Sequence, residues 1–282
     1  MKLRLFLLLV TLVAIAYPAA AEGALFQRDL ADRIAELRAA RGPEAYAALR
    51  RVWASWDRAN PTHVEETLLA AREDSRLSPP LRTYAGVLAG LSRVRRGDLR
   101  AARDAVSALG YVDRWVVIGP FDNEGKSGLD TAFGPELELA SPIVPGRAQS
   151  GKERPVRWRV VPREFPHGFV NFGSLLRPEQ KVCAYATTFV QAKPGSRAPR
   201  TISAWIGSGG AFKAYWNGHE VLKSTVYSSH DFDRYAVALE LESGMNALTV
   251  KICGEEAAPV LSVRFGDAQG APNAGVDVTN DL

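Results

Sequence analysis

The hydrophobic positions in the first third of the chain recur with the period of an α-helix. Phe26, Leu30, Ile34 and Leu37 are spaced by four, four and three residues, so they share one face of a helix. Similar stripes follow, and turn or capping residues separate each stripe from the next. These breaks are Gly42-Pro43, Asn60-Pro61, Ser78-Pro79-Pro80 and Gly97-Asp98. Residues 22–109 are therefore predicted to form a helical domain.

The last two predicted helices form a hairpin at Gly97-Asp98, where glycine ends one helix and aspartate caps the next. Small residues lie where the two helices should approach, at Ala89, Gly90 and Ala102. This pattern resembles one unit of a tetratricopeptide repeat. The earlier helices match it poorly, so the domain is predicted as helical hairpins of repeat type, which would offer a surface to a protein partner.

From Gly110 onward the pattern changes to the alternation typical of β-strands. Short strands with glycine- and proline-rich turns and no helix between them favour a β-sandwich over residues 110–268. The predicted strands are Trp115–Ile118, Val156–Val160, Phe169–Phe172, Val182–Val190, Thr201–Ile206, Ala211–Trp216, Tyr235–Leu241, Leu248–Ile252 and Leu261–Phe265. The predicted fold class is α+β, with α-helical hairpins followed by an antiparallel β-sandwich of the jelly-roll type. Residues 269–282 are predicted to be a flexible polar tail.

Two of the predicted turns carry specific signals. Asn217-Gly218 favours a type I′ hairpin after Trp216, because both central residues of that turn need a positive φ. The glycine-rich stretch from Gly207 to Gly210 precedes no helix, so it lacks the helix N-terminus of a phosphate site. We interpret it as a hairpin turn.

Residues 1–21 have the three parts of a cleavable secretory signal. Lys2 and Arg4 are the positive part, Leu5–Ala16 is the apolar part, and Ala19–Ala21 supplies small residues for cleavage. The apolar part is shorter than the roughly 20 residues of a membrane span. We therefore expect a secreted or periplasmic protein with no transmembrane segment after cleavage.

Composition and charge narrow the function classes. A hydrophobic content of 46% excludes a broadly disordered chain. The net charge of +4 is small, and cleavage of the predicted signal lowers it by two. No concentrated basic stripe is evident, so a nucleic-acid partner is not expected.

The two cysteines, Cys183 and Cys253, leave two possibilities open. An oxidising compartment permits a disulfide between them. Burial of Ala184 and Ala186 would place Cys183 on the same face as Cys253, whereas burial of Tyr185 would place it on the other face. The alternative is a pair of buried free thiols.

The second domain resembles the galactose-binding-like jelly rolls that are attached to glycoside hydrolases. The resemblance rests on the segments Trp115–Phe121, Tyr185–Phe189, Phe212–Val221 and Gly244–Ile252, which contain W-x-N-G and G-x-N-x-L-x-V motifs. It implies a non-catalytic sugar-binding domain with a glycan as partner. Relatives often carry tetratricopeptide repeats, and some carry a transglutaminase-like peptidase domain. The alternatives are therefore a protein-interaction scaffold or the N-terminal portion of a larger protein.

The sequence contains no recognisable catalytic motif. There is no G-x-S-x-G, and the four histidines (His63, His167, His219 and His230) lack zinc-site spacing. Adjacent Glu255 and Glu256 point to opposite faces of an extended chain, so they cannot flank one glycosidic bond. We therefore predict a protein that is not an enzyme and has no cofactor.

Sugar binding needs exposed aromatic rings with polar side chains nearby. By parity, Trp205 and Tyr215 share an outer face with Lys213 on two strands of one hairpin, or that face is covered by packing. The candidate ligand-binding residues are Trp205, Tyr215, Asn217, His219, Tyr227, His230 and Asp231.

A loop rich in oxygen ligands follows Phe121. Its candidate ligands are Asp122, Asn123, Glu124 and Asp130, and side chains of this kind suit calcium. Jelly rolls of the resembled type often hold a structural calcium, so this loop is a possible calcium site. Lys126 lies among the carboxylates and would compete for them.

Overall fold

The computed structural model describes residues 24–162, 168–272 and 275–281. They belong to two compact units that divide between Gly97 and Asp98. The predicted signal peptide and His167 lie outside the described residues. The α+β prediction, with helices first and an antiparallel sandwich afterwards, is confirmed.

The described part of the first unit contains four helices: α1 (24–39), α2 (Pro43–Ala54), α3 (Pro61–Glu73) and α4 (Pro79–Arg95). Helix α3 begins as predicted, because the Asn60 side chain accepts a hydrogen bond from the Thr62 amide at 3.0 Å and proline follows it. Leu30 and Leu37 of the predicted α1 stripe are buried. Glu65 of α3 is also buried, and it pairs with Arg93 and Arg96 of α4.

Helix α5 (Leu99–Ser107) belongs to the second unit, although its periodicity places it in the predicted helical domain. Among the residues described after it are thirteen strands, a 3₁₀ segment at Glu124–Leu129, a short helix α6 (Gly134–Leu137) and a second 3₁₀ turn at Phe172–Ser174. The strands are β1 Val116–Asp122, β2 Gln149–Ser150, β3 Pro155–Val156, β4 Arg159–Val160, β5 Val170–Asn171, β6 Val182–Ala192, β7 Arg200–Gly209, β8 Ala211–Trp216, β9 His219–Ser224, β10 Tyr235–Leu241, β11 Asn246–Gly254, β12 Val260–Gly266 and β13 Val276–Thr279.

Two antiparallel sheets form the sandwich. The larger sheet has the order β4-β1-β6-β11-β8-β9, with β13 also paired to β6, and the smaller sheet has the order β10-β7-β12-β5. Alternate side chains of each sheet point into a shared core, such as Ala184 and Ala186 from β6 and Ile202, Ala204 and Ile206 from β7.

The prediction that Gly207–Gly210 is a hairpin turn is wrong. Strand β7 lies in the smaller sheet and β8 in the larger, so the chain crosses between sheets at this point. Gly210 has φ 127°, and a Cβ there would lie 2.3 Å from the Cys253 carbonyl oxygen. The stretch needs glycine for a corner with close backbone approach rather than for a hairpin.

The hairpin at Asn217-Gly218 is confirmed. Both residues have positive φ, 50° and 84°, and Trp216 pairs with His219 across the turn. The Asn217 amide donates to Asn246 Oδ1 at 3.0 Å, and its oxygen accepts from the Ala247 amide at 2.9 Å. The asparagines of the two sequence motifs therefore lock the hairpin onto β11.

The prediction of a flexible tail is wrong for Val276–Thr279. These residues form β13, which pairs with the end of β6 beyond the part that β1 occupies. Val276 and Val278 pack against the sandwich core. Two apolar positions are too few to show a strand periodicity in the sequence.

Candidate functional site

The outer face of the larger sheet carries ordered rows of side chains. One row places Thr187, Thr249 and Tyr215 side by side on β6, β11 and β8. The next row places Tyr185, Lys251 and Lys213 in the same order. The row beyond contains Cys183 and Cys253, which face each other and form a disulfide in the structure.

The segment between β1 and β4 covers this face. Glu136 of α6 is the point of attachment, since its carboxylate accepts from the Tyr185 hydroxyl at 2.8 Å and the Tyr215 hydroxyl at 2.5 Å. Lys251 Nζ donates to the same carboxylate at 2.7 Å. Burial alone would raise the pKa of Glu136, but the hydrogen bonds from Lys251 and both tyrosines outweigh it and lower the pKa below its ordinary value.

Lys251 itself is fully buried. Besides Glu136, it donates to the Leu129 carbonyl at 3.0 Å and the Thr131 carbonyl at 2.6 Å. Burial lowers the pKa of Lys251, and the pairing with Glu136 opposes that shift. One buried cation thus fastens both ends of residues 129–136 to the sheet. The residues directly after this segment, 138–144, contribute one wall of a cleft.

The cleft lies on the same outer face and has a volume of about 260 Å³. Thr187 and Thr249 line it from the sheet, with their hydroxyls 2.8 Å apart, and Trp158 lines it from the segment before β4. Gln149 also lines it. Its Oε1 atom is buried, and it has no hydrogen-bond partner among the described residues.

An unsatisfied buried acceptor is unusual, because leaving one unpaired costs about 1–3 kcal/mol. The Gln149 side chain is partly exposed and lines the cleft, so a turn of its amide would bring the oxygen to a hydroxyl or amide donor of a ligand. The cleft therefore combines an aromatic ring, hydroxyls and an unpaired acceptor, a mixture that suits a polar ligand with an apolar face.

The prediction that Trp205 and Tyr215 share a face is wrong. They lie on different sheets, because β7 and β8 are separated by the crossing at Gly209-Gly210. The Trp205 ring lies beneath the Arg264 guanidinium at 4.8 Å, and its indole N–H donates to Ser203 at 2.9 Å. Tyr215 is nearly buried and bonded to Glu136, so its ring is part of the attachment.

The remaining ligand-binding candidates are spread over separate places. The side chain of Asn217 is hydrogen-bonded to Asn246 at the hairpin, and His219 is exposed at the start of β9. The Tyr227 hydroxyl accepts from the Asn123 amide at 3.2 Å. His230 and Asp231 lie beside β7 at Gly207.

His230 forms a hydrogen bond with Ser262, 2.9 Å from its Nε2 atom. Burial, and then the charge of Arg234, lower the pKa of His230 to about 4, so it is neutral near pH 7. Ser262 is only 1% exposed. His230 and Ser262 do not line the cleft on the larger sheet. Nearby, the buried Asp233 binds Arg264 at 2.6 Å and Tyr111 at 2.6 Å.

The calcium hypothesis is contradicted by the loop geometry. Asn123 is buried, with its amide donating to the Gly254 carbonyl at 2.9 Å. Lys152 lies 3.2 Å from Asp122 and 2.9 Å from Glu124, while Asp130 pairs with Lys223. Within the described ranges, no three acidic, histidine or cysteine side chains are grouped to hold a metal ion. Lysines satisfy these carboxylates instead.

Sequence reasoning missed Glu136, Lys251, Gln149 and Trp158 as site residues. Lys251 lies on a predicted strand between buried Val250 and Ile252, a position that favours a solvent-facing side chain. The apolar segment Trp115–Phe121 was a signal in the sequence that this part of the domain is buried. The burial of the outer face of the larger sheet, however, depends on the loop between β1 and β4, which covers it.

Comparisons with known proteins give only distant likenesses. No family model matches the chain, and no curated protein is similar to it in sequence. Among solved structures, a PA14 sugar-binding domain from an RTX adhesin has a TM-score of 0.26 at 12% identity, over 32% of this chain and 49% of that one. A β-glucuronidase from Faecalibacterium prausnitzii has a TM-score of 0.31 at 11% identity, over 50% of this chain and 20% of that one.

A β-glucuronidase from an uncultured Clostridium species has a TM-score of 0.33 at 13% identity, over 55% of this chain and 28% of the enzyme. The chain thus spans about half of the adhesin domain and less than a third of either enzyme. Likenesses this remote assign neither a ligand nor an activity. In the described residues, every helix is too short or too polar to cross a membrane.

Proposed function

We propose that the protein binds carbohydrate, without chemical conversion, in the cleft on the outer face of the larger sheet. The observation that carries the proposal is the buried Gln149 oxygen with no partner in the described chain, next to an aromatic wall and a floor of threonine hydroxyls. A sugar presents hydroxyl donors on its rim and C–H groups on its face, which match these two features.

Electrostatics favour binding over catalysis. A glycosidase needs a carboxyl group that keeps a proton at working pH, which requires a raised pKa. The pKa of Glu136 is lowered instead, because three donors hold its charged form. Glu138, in the cleft wall, pairs with Arg147 at 2.9 Å.

The disulfide supports the expectation of an oxidising compartment. Cys183 and Cys253 are joined, and such bonds persist mainly in secreted or periplasmic proteins. Secretion therefore remains part of the proposal, and detection of the disulfide in protein purified from its native compartment would test it.

Glycan-array screening followed by calorimetry tests the binding proposal. Gln149→Leu removes the acceptor. The affinity for the best ligand should fall roughly 3- to 10-fold, as expected for the loss of one neutral hydrogen bond. Gln269→Leu is the matched control, since Gln269 is exposed and outside the cleft. Equal affinity of Gln149→Leu and the wild type would contradict the site, and release of sugar products would contradict the absence of catalysis.

A second variant leaves Gln149 in place. A Cβ at Gly134 would lie 2.5 Å from Gln149 Oε1, so Gly134→Ala crowds the acceptor without removing it. We expect a smaller loss of affinity than in Gln149→Leu.

A protein partner is the second candidate, and the rim of the cleft favours it. Leu137, Val144 and Met245 are 74%, 52% and 54% exposed around or beside the cleft. Exposed apolar groups of this size mark interaction surfaces when they cluster. Loss of partner capture in Val144→Ser and Met245→Ser, with glycan binding unchanged, would favour this candidate.

A further inference from the structure

Strand β10 forms one edge of the smaller sheet, since β7 is its only ladder partner in the described chain. Its sequence, YAVALEL, has a single charged residue and no proline, and its register with β7 contains no bulge. Edge strands usually carry charges, proline or a bulge, which hinder pairing with another chain. Strand β9, at an edge of the larger sheet, has such protection, with Glu220, Lys223 and a register shift against β8. The β10 edge is therefore unusually open to a further strand.

The direction of the main-chain groups on β10 follows from the neighbouring ladders. On β12, the main-chain groups of Val263 and Phe265 are bonded to residues 110–112, so they point away from β7. Main-chain groups alternate between the two sides of an antiparallel strand, so the even-numbered residues of β12 bond to β7. By the same alternation across β7, the odd-numbered residues of β10 bond to β7. Ala236 and Ala238 therefore direct their N–H and C=O groups away from the sheet.

A contact from the larger sheet agrees with this direction. The Trp216 indole donates to the Glu240 carbonyl at 2.8 Å, so Glu240 also points away from β7. Ala236 and Ala238 are exposed, and in the described chain their outward N–H and C=O groups have no partner. Unpaired groups in a row are a template for the addition of another strand.

The residues beside the open groups select a second copy of this chain as the added strand. With Val237 at a twofold axis, Ala236 of each copy lies opposite Ala238 of the other. The same register places Arg234 of each copy opposite Glu240 of the other, and both side chains are exposed. We propose that the protein forms a twofold dimer in which the two β10 strands pair antiparallel about Val237 and join the smaller sheets of both copies.

This register uses main-chain groups that are open in the single chain. Each Ala236–Ala238 pair exchanges both of its N–H···O=C bonds, because all four groups point toward the other copy. A pairing centred on Ala238 would instead place the Glu240 carbonyl opposite Ala236, although Trp216 already occupies that carbonyl. The axis at Val237 avoids this competition.

The side chains on both faces of the paired strands are complementary. On the inner face, Val237 meets its counterpart, and Tyr235 meets Leu239 of the second copy, so apolar side chains lie opposite each other. On the outer face, an ion pair between Arg234 and Glu240 lies at each end of the interface. Apolar and opposite-charge pairs across strands stabilise a sheet, whereas like charges destabilise it.

Arg234 and Glu240 retain the capacity to form this ion pair. One guanidinium nitrogen of Arg234 donates to Ser228 and to the Ser229 carbonyl, which leaves other donors of the planar group for a carboxylate. Glu240 accepts only a long bond of 3.4 Å from Thr201 among the described residues. The residues of the dimer interface do not line the cleft, so the pairing does not depend on sugar binding.

Sedimentation velocity and amide hydrogen exchange on the full chain test the dimer. An interface of one strand pair belongs to the small, transient class, so the wild type should be half dimeric at roughly 10–300 µM. Over the same range of concentration, exchange at the Ala236 and Ala238 amides should slow as the dimer forms.

Ala238→Pro tests the strand pairing without breaking the monomer. The outward N–H of Ala238 bonds to nothing in β7, and proline is tolerated on an edge strand where the N–H faces solvent. We expect a folded protein, checked by circular dichroism, that stays monomeric at every concentration tested.

Two charge variants test the register. Arg234→Glu and Glu240→Arg each place like charges opposite each other at both ends of the interface, so each alone should dimerise about tenfold or more weakly. Mixed in equal amounts, they restore opposite charges at both ends and should form a heterodimer with nearly wild-type affinity. Arg103→Glu makes the same charge change as Arg234→Glu at an exposed position on α5, so it should leave dimerisation unchanged.

Several results would overturn the dimer. A wild type that stays monomeric at every concentration would do so, and slow exchange at both alanine amides in that monomer would mean that the edge is covered within one chain. Dimerisation that persists in Ala238→Pro would place the interface elsewhere. A mixture of Arg234→Glu and Glu240→Arg that dimerises no better than either variant alone would reject the pairing about Val237.

Discussion

Replacement of Lys251 by methionine probes the attachment that builds the cleft wall. The side chain of Lys251 is fully buried, and methionine fills a similar volume without charge or donors. In Lys251→Met the Glu136 carboxylate, whose side chain is 13% exposed, loses its shorter ion pair and keeps only Lys213 at 3.9 Å. The Leu129 and Thr131 carbonyls lose their shared donor.

The expected loss is large because a buried ion pair is broken on one side only. Removal of one partner typically costs about 3–5 kcal/mol. For a domain of this size, each kcal/mol lowers Tm by roughly 2–4 °C, so we expect a fall of about 6–20 °C. Urea and thermal unfolding, followed by tryptophan fluorescence, measure both quantities.

Two further variants test whether the loss of stability in Lys251→Met comes from the broken ion pair. Lys213→Met removes a cation that lies 3.9 Å from Glu136 and 3.4 Å from the exposed Asp130, and it should cost clearly less than Lys251→Met because Lys213 donates no hydrogen bond to the buried carbonyls. Glu136→Gln combined with Lys251→Met removes the uncompensated charge and should recover part of the stability. A loss below about 1 kcal/mol in Lys251→Met, or an equal loss in Lys213→Met, would refute the reasoning.

The contribution of Glu136 to the free energy of unfolding should depend on pH in a known direction. The folded pKa of Glu136 lies below the ordinary value of 4.5, so its charged form stabilises the fold above that pH and the contribution is lost as pH falls through the folded pKa. The gap in unfolding free energy between the wild type and Lys251→Met should therefore narrow below pH 4.5.

Three other predictions concern the sandwich. Cys183→Ala/Cys253→Ala opens a loop with a sequence separation of 70 and should lower the free energy of unfolding by roughly 2–4 kcal/mol, read from the urea midpoint. Gly218→Ala should cost about 1–2 kcal/mol, because φ is +84° while the nearest atoms to a Cβ lie at 3.9 Å, so strain acts without a clash. The pKa of His230 is lowered from 6.5 to about 4, so stability should fall as pH drops through this window, and His230→Gln should flatten that part of the pH profile of unfolding.

The sequence predicts the order of elements well and the pairing of sheets poorly. Alternation within a strand shows which side chains share a face, but it does not show which sheet the strand joins. Parity places Trp205 and Tyr215 on one face for this reason, whereas Gly209-Gly210 takes the chain across the sandwich. The crossing depends on backbone contact with Cys253, which no local pattern encodes.

Burial of both faces of the larger sheet explains why the sequence did not show the inner face of β6 or the burial of Lys251. Strand β6 is buried on both sides, so parity could not decide whether Ala184 or Tyr185 faces the core. The covering segment decides it, by enclosing Tyr185, Cys183 and Lys251 on the outer side. A lysine between buried residues suggests a solvent face unless a loop that lies over a hundred residues earlier supplies its partners.

The indole N–H signals of ¹⁵N-labelled protein test the central claim most directly, because two tryptophans report on opposite sheets. Trp158 lines the cleft, and Trp205 lies on the smaller sheet beneath Arg264. During titration with the best glycan, the Trp158 signal and the Gln149 side-chain amide should shift in a saturable manner while Trp205 stays unchanged. Shifts confined to Trp205, or no saturable shift at Trp158 with a glycan that binds, would contradict the account.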